Sequence, residues 1–395
     1  MPVGTSNIGW VETNMHTHIK LGRVFGIEIG IHSSWFIIAF LITFSLAAQF
    51  RSVDRDWSEV LVWGASLATA ILFFVSLLAH ELAHSLVARA RKLPVRRITL
   101  FALGGVSLIE KDAPDAKTEF LIAIVGPLTS VVLGALMLWS AKAFGGNPDA
   151  GPQTPSMAIL YWLGTINLGL GVFNMLPGFP LDGGRVLRAV VWWLTWSMER
   201  ATRIAARVGQ VIAVIFIAFG IYQFFRGAGL SGLWIAFIGW FLLQAAGAQY
   251  QELELKHALV GVRAGDLMSR DCAQVPGPSS VQGFVDEFLL RTGRRCFFVT
   301  VQGSIAGLIT PHEVRALERS LWPLTPIQQI MKPLDKLRVV APETAAMEAL
   351  EMMAREDLNQ LPVVSDHHVE GLLSRSNILE ALRSRRELKD IARQP

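Results

Sequence analysis

The sequence predicts a multi-span α-helical membrane protein of about six transmembrane helices with a membrane-associated β-hairpin, followed by a cytosolic α/β module of two repeats. Three observations carry this expectation. Hydrophobic residues make up 52% of the 395 residues and charged residues only 17%, with a mean hydropathy of +0.41. Charges are sparse up to about residue 250 and frequent beyond it, which divides the chain into an apolar half and a water-soluble half. The second half then resembles itself at a period of roughly 64 residues.

The elements follow in order. Residues 1–29 are polar, hold His16, His18, Lys20 and Arg23, and lack a signal-peptide cleavage pattern, so they read as a cytosolic leader. Six apolar stretches follow, near 30–50, 60–90, 118–143, 156–177, 204–225 and 229–249, within a membrane domain over 30–250. Each approaches the roughly 20 residues that cross a bilayer. Basic residues cluster after the second stretch (Arg89, Arg91, Lys92, Arg96, Arg97) and after the fourth (Arg185, Arg188, Arg200, Arg203). The positive-inside rule then places both termini in the cytosol. The net charge of +4 lacks a dense Lys/Arg run with interleaved aromatics, so nucleic acid is not an expected partner.

Residues 95–109 do not read as a span. They are rich in β-branched residues and contain Gly104-Gly105, the pattern of a short hairpin. Such a hairpin is either a plain surface feature or an edge that could hold an extended peptide. In the later repeats, Asp266-Leu267-Met268 recurs as Gln329-Ile330-Met331, and Gly307-Leu308-Ile309-Thr310 recurs as Gly371-Leu372-Leu373-Ser374. After a linker at 251–262, the units run over 263–322 and 323–386, with a tail at 387–395. Each reads as a strand, a helix (281–292; 345–356), two apolar strands and a second helix (312–320; 377–383). The two cysteines, Cys272 and Cys296, lack CxxC spacing and read as buried reduced thiols.

The chemistry sits in His80-Glu81-Leu82-Ala83-His84, inside the second apolar stretch. On a helix the two histidines are one turn apart on one face and can reach a single metal ion, with Glu81 beside them as a base. Ionisable groups at that depth read as functional by default. Two histidines do not complete a catalytic zinc site, which takes three protein ligands. Asp182, in Asn174-Met175-Leu176-Pro177-Gly178-Phe179-Pro180-Leu181-Asp182-Gly183-Gly184, is the candidate third. Spacing alone leaves two roles open for Asp182, ligand or helix cap. Gly126-Pro127 falls inside the third stretch and marks a kink. His32, at the start of the first stretch, reads as an interface histidine rather than a ligand, and His367-His368 as a solvent-exposed turn.

Taken together, HExxH in a span, the Gly-Gly hairpin and the N-x-x-P-x-x-P-x-D-G-G segment resemble the site-2 protease family of intramembrane zinc metalloproteases, over roughly residues 15–250. The resemblance implies one catalytic Zn2+ held by His80, His84 and Asp182. It implies Glu81 as general base, Asn174 in the active site to help polarise the scissile carbonyl, and Gly104 and Gly105 in a hairpin that clamps substrate. The substrate would be a transmembrane segment of a membrane-tethered regulatory protein, cut in the lipid bilayer of a bacterial or archaeal cell membrane.

The later repeats resemble a pair of CBS domains, a combination known in a subgroup of that family. Such pairs often bind ATP or AMP, through a Ser/Thr followed shortly by Asp, and frequently dimerise. Here the matching positions are Thr310 with Glu313 and Ser374 with Asn377, so the Asp is replaced in both. Nucleotide binding and a purely structural or homodimerising role both remain open. The alternative function is a CBS-gated metal ion transporter or channel, with His80, Glu81, His84 and Asp182 lining a pathway. It would need polar residues spread over several spans, whereas stretches such as Val211-Ile212-Ala213-Val214-Ile215-Phe216 are apolar.

Overall fold

A computed structural model describes residues 19–102, 104–109, 112–144, 154–366 and 368–391. Of the features singled out in the sequence, His16, His18 and His367 lie outside them. The chain divides into two compact units at Leu253/Glu254.

In the first unit, the strands β1 (Ile19–Val24) and β2 (Ile27–Ile31) precede the helices α1 (Ser34–Val53) and α2 (Glu59–Ala90). The strands β3 (Val95–Phe101) and β4 (Gly104–Ile109) follow, and then α3 (Ala116–Ala143), α4 (Pro155–Asn174), α5 (Asp182–Thr195), α6 (Met198–Gln223) and α7 (Leu230–Ala258). All of these except α5 yield a stretch long and apolar enough to cross a membrane. Their ends are set by local chemistry. The Ser58, Asp115, Thr154 and Ser197 side chains accept from the first free N–H groups of α2, α3, α4 and α6. Large apolar side chains such as Phe36, Ile37, Phe40 and Phe44 of α1 point outward, as expected for helices solvated by lipid.

Two features differ from the sequence reading. The end of the polar leader is not irregular: Ile19–Val24 and Ile27–Ile31 form a hairpin, and β2 pairs in parallel with β3. The expected two-stranded hairpin is therefore half of a four-stranded sheet in the order β1-β2-β3-β4. Apolar alternation was visible in Ile27, Ile29 and Ile31, which are all buried, but the adjoining charged residues masked it. The second difference is α5, an amphipathic helix that leaves Trp193, Leu194 and Trp196 exposed. Its basic residues read only as a charged link between spans.

In the second unit each repeat contributes its own strands and helices, but the cores interlock. The first core gathers Val275, Phe284, Phe297, Val299, Ile309 and Val314 with Ile327, which belongs to the opening of the second repeat. The other core gathers Val340, Ala349, Met353, Leu361, Val363, Leu373 and Ile378 with Val262 from the end of the linker and Ala264 and Met268 from the opening of the first. Backbone bonds from Ala264 N to Thr344 O (2.8 Å) and from Val281 N to Thr325 O (2.9 Å) fasten both exchanges. Cys272 and Cys296 are free and half-buried, and burial pushes the Cys296 thiol up to about 12.

Candidate metal centre

The site is assembled from α2, α3, α5 and β4. His80 and His84 lie one turn apart on α2 and are both buried, at 2% and 4% exposure. Their Nε2 atoms are 3.1 Å apart. Asp182 Oδ2 lies 3.1 Å from His80 Nε2 and 3.2 Å from His84 Nε2. Asp182 itself lies inside the first turn of α5 rather than at its cap. Leu181 is the N-cap of α5 and makes no side-chain cap bond, while the Asp182 carboxylate faces the imidazoles.

The donor chemistry fits a cation. His84 Nδ1 lies 2.6 Å from the Ile122 carbonyl oxygen, which can only accept, so Nδ1 carries a proton and Nε2 is the nitrogen left to offer a cation its lone pair when the ring is neutral. His80 Nδ1 is held by the Ser130 hydroxyl at 2.9 Å, which turns its Nε2 toward the same point. Among the described residues, this is the group of three whose ligand atoms lie close enough to share one ion. Fixing the far nitrogen of each ring is how outer contacts orient metal-binding imidazoles.

Glu81 sits against the hairpin. The Ser107 hydroxyl of β4 donates to Glu81 Oε2 at 2.9 Å, and the buried Ser85 hydroxyl donates to Ser107 at 3.2 Å. The approach is so close that a Cβ on Gly105 would lie 2.5 Å from Glu81 Cγ. Gly105 therefore has a steric reason to be glycine, and Gly104 a conformational one, with φ of +141°. On the other side, a Cβ on Gly126 of α3 would lie 2.1 Å from His84 Nε2. Gly126 lets α3 pass against the two rings, a role hidden behind the kink reading of Gly126-Pro127.

Several residues of the site were missed in the sequence. Ile122, Gly126 and Ser130 follow one another at intervals of four, so they share one face of α3. That spacing was readable, but nothing in the sequence says which helix faces α2. Glu119, buried to 1% exposure, starts the same face and pairs with Arg185 Nε at 3.0 Å and with Arg188. Arg188 in turn stacks over the Phe179 ring, 5.4 Å from its centroid. Asn174 is the last residue of α4 and is half-buried, while its side chain makes no hydrogen bond among those described. His32 bonds Ser34 Oγ through Nδ1 at 2.8 Å and stands apart from the three-ligand group.

The residues at the nucleotide positions of the two repeats are engaged with one another. Thr310 N and the Thr310 hydroxyl both donate to Glu313 Oε2, which closes a capping box on the helix Pro311–Ala316. Ser374 N donates to Asn377 Oδ1 at 3.0 Å, the same arrangement in the second repeat. For Glu313, burial pushes the carboxyl up, but the Thr310 hydroxyl, backbone N–H groups and Lys332 outweigh it and hold the carboxyl below its ordinary range.

Comparison with known proteins gives the family of the chain. The pattern of Peptidase family M50 matches residues 68–148 and 147–216, and that of the CBS domain matches residues 327–384. Rip3 of Mycobacterium tuberculosis, named as a zinc metalloprotease, is 36% identical over 86% of this chain and 86% of its own. A protein of Synechocystis named in the same way, sll0528, is 31% identical over 94% of this chain and 97% of its own. A solved site-2 protease from Methanocaldococcus jannaschii is 30% identical, covers 59% of this chain and 94% of its own, and superposes with a TM-score of 0.41. The chain therefore belongs to Peptidase family M50, as an integral-membrane zinc metalloprotease of the site-2 protease type with a CBS domain in its second half.

Proposed function

We propose that this chain cuts transmembrane segments of membrane-tethered regulatory proteins, and so acts in regulated intramembrane proteolysis in a bacterial or archaeal cell membrane with both termini in the cytosol. The observation that carries the reading is the convergence of His80 Nε2, His84 Nε2 and Asp182 Oδ2 beside a carboxylate that is itself held by a sheet-edge strand. His80, His84 and Asp182 would hold Zn2+, which when bound polarises the scissile carbonyl and makes a water acidic enough to attack near neutral pH.

The protein groups do the rest. Ser107 holds Glu81 Oε2, which leaves Oε1 to take a proton from the attacking water and pass it to the leaving amide nitrogen. Asn174 would donate to the carbonyl oxygen as charge develops there. A transmembrane helix hides its carbonyls in its own hydrogen bonds, so the substrate must unwind. Among the described residues β4 is the edge strand of the sheet on the Glu81 side, β1 being the other edge, and strand pairing along Gly104 and Gly105 would offset part of the unwinding.

The test is a reconstituted membrane reporter with zinc content measured in parallel. Glu81→Gln is expected to keep zinc and to slow cleavage about 10²- to 10⁴-fold, the range for loss of a positioned proton-transfer group. Asp182→Ala is expected to lose both zinc and cleavage. Undiminished cleavage by the Glu81 variant removes this mechanism.

We also infer that the CBS pair regulates the protease by taking ATP or AMP, and that it joins two copies of the chain. The paired Thr310/Glu313 and Ser374/Asn377 caps occupy matching places in the two repeats, which supports a shared ligand role. Calorimetric titration of the full chain decides it: no heat with either nucleotide at millimolar concentration removes the regulatory part.

A further inference from the structure

Three contacts on one face of α3 serve the metal centre. Ile122 O holds His84 Nδ1, Ser130 Oγ holds His80 Nδ1, and Gly126 gives both rings clearance. Glu119 lies one turn before Ile122, at the start of the same face, and is among the most deeply buried carboxylates described, with 1% exposure. Its partners are Arg185 and Arg188 on α5; Arg185 follows Asp182 by three residues and so lies toward the same side of that helix, and Arg188 sits a further three residues on, next to Arg185. One helix thus fixes the two imidazoles directly and the third donor through an ion pair.

We propose that Glu119 is a positioning residue for the metal centre, acting through Arg185 and Arg188 to set the place of Asp182 against the two histidines. The proposal rests on the ligand set proposed above. Its physical content is a matter of number and direction. Two arginines on one short helix, gripped by a single carboxylate, fix both the axial position and the rotation of α5 relative to α3. A carboxylate that accepts from Arg185 Nε and from Arg188 cannot let go of one without leaving a partly buried cation unpaired and its own buried charge less compensated, which is destabilising. The Arg188 guanidinium also stacks on Phe179, so the same ion pair steadies the loop that leads into Asp182. Asp182 has little else to hold it: its Oδ2 contacts are with the two imidazoles alone among the bonds described.

The test uses the full-length chain in detergent, isolated as a folded species. Zinc affinity is measured by competition with a chromophoric chelator, and ligand geometry by the visible absorption of the Co2+-substituted protein. Glu119→Gln is expected to weaken zinc binding about 10- to 100-fold, as loss of an outer contact does, and to alter the Co2+ spectrum. Glu119→Asp is expected to recover part of both. If Glu119→Gln does not yield folded protein, the double variant Arg185→Lys/Arg188→Lys, which keeps the charge and loses the planar fork, is read in the same way. Native zinc affinity and a native Co2+ spectrum in the variant that folds overturn the proposal. The reading beneath it fails separately: if Asp182→Ala binds zinc like the native chain, the ligand set itself is wrong.

Discussion

Gly126 and Gly105 touch the two functions of the centre from opposite sides. A methyl group on Gly126 would collide with His84, whereas one on Gly105 would collide with Glu81. Gly126→Ala is therefore expected to lower zinc occupancy and cleavage together. Gly105→Ala should retain zinc and lose cleavage by at least about 10²-fold, because it displaces the base alone. Parallel metal analysis and reporter cleavage separate the two. Glu313 gives a prediction at the same scale outside the membrane. Its carboxyl is held below the ordinary range in the folded state, so the unfolded chain binds the extra proton first. Stability of the second unit should be full above the ordinary carboxylate pKa of about 4.3 and should fall as pH drops through the lower folded value. Hydrogen exchange of residues 310–333 across pH checks this, and Glu313→Gln should flatten the acid limb. The placement of the histidine pair was legible at this scale: HExxH sets two imidazoles on one helix face because one turn of helix fixes their spacing. Asp182 stayed ambiguous because a carboxylate at a helix start has two uses, and only its direction in space chooses between them. Gly105 was picked out as part of the hairpin, yet its contact with Glu81 depends on how the sheet meets α2.

The helices that cross the membrane were the most readable elements, since length and apolarity alone define them. The spans expected at 60–90, 118–143 and 229–249 appear as Glu59–Ala90, Ala116–Ala143 and Leu230–Ala258. The sheet was only half legible. Parallel pairing of β2 with β3 joins strands separated by two whole helices, and no local pattern encodes such a partner. The missed helix α5 has a similar cause: its first turn follows two prolines and carries Asp182, Gly183 and Gly184, and Arg185 and Arg188 interrupt its apolar residues, so it resembles a loop when judged by hydropathy alone. The element that matters most is α3, whose inner face meets both rings. Ser130→Ala removes the hydroxyl at His80 Nδ1 and leaves the ring free to turn. It is expected to weaken zinc binding about 10- to 100-fold with little change in global stability, as measured by the same chelator competition.

At the level of the whole chain, composition foretold an apolar half and a charged half, and the units part at Leu253/Glu254. The period of the second half was also readable, but the exchange between its repeats was not. Sequence similarity locates equivalent residues without saying which core they enter. Because Val262, Ala264 and Met268 complete the core of the second repeat, a chain ending near residue 325 should leave them uncovered. Such a truncation is expected to produce a second unit that is cleaved rapidly by a nonspecific protease, whereas the full chain resists; equal resistance would contradict the interlocked cores. The same exchange bears on synthesis. The ribosome delivers Val262, Ala264 and Met268 about 70 residues before Val340, the first core residue of the second repeat that will shelter them, so the nascent chain carries a waiting apolar wedge through the whole manufacture of the first lobe. Slower translation across that interval is expected to lengthen the exposure of this wedge.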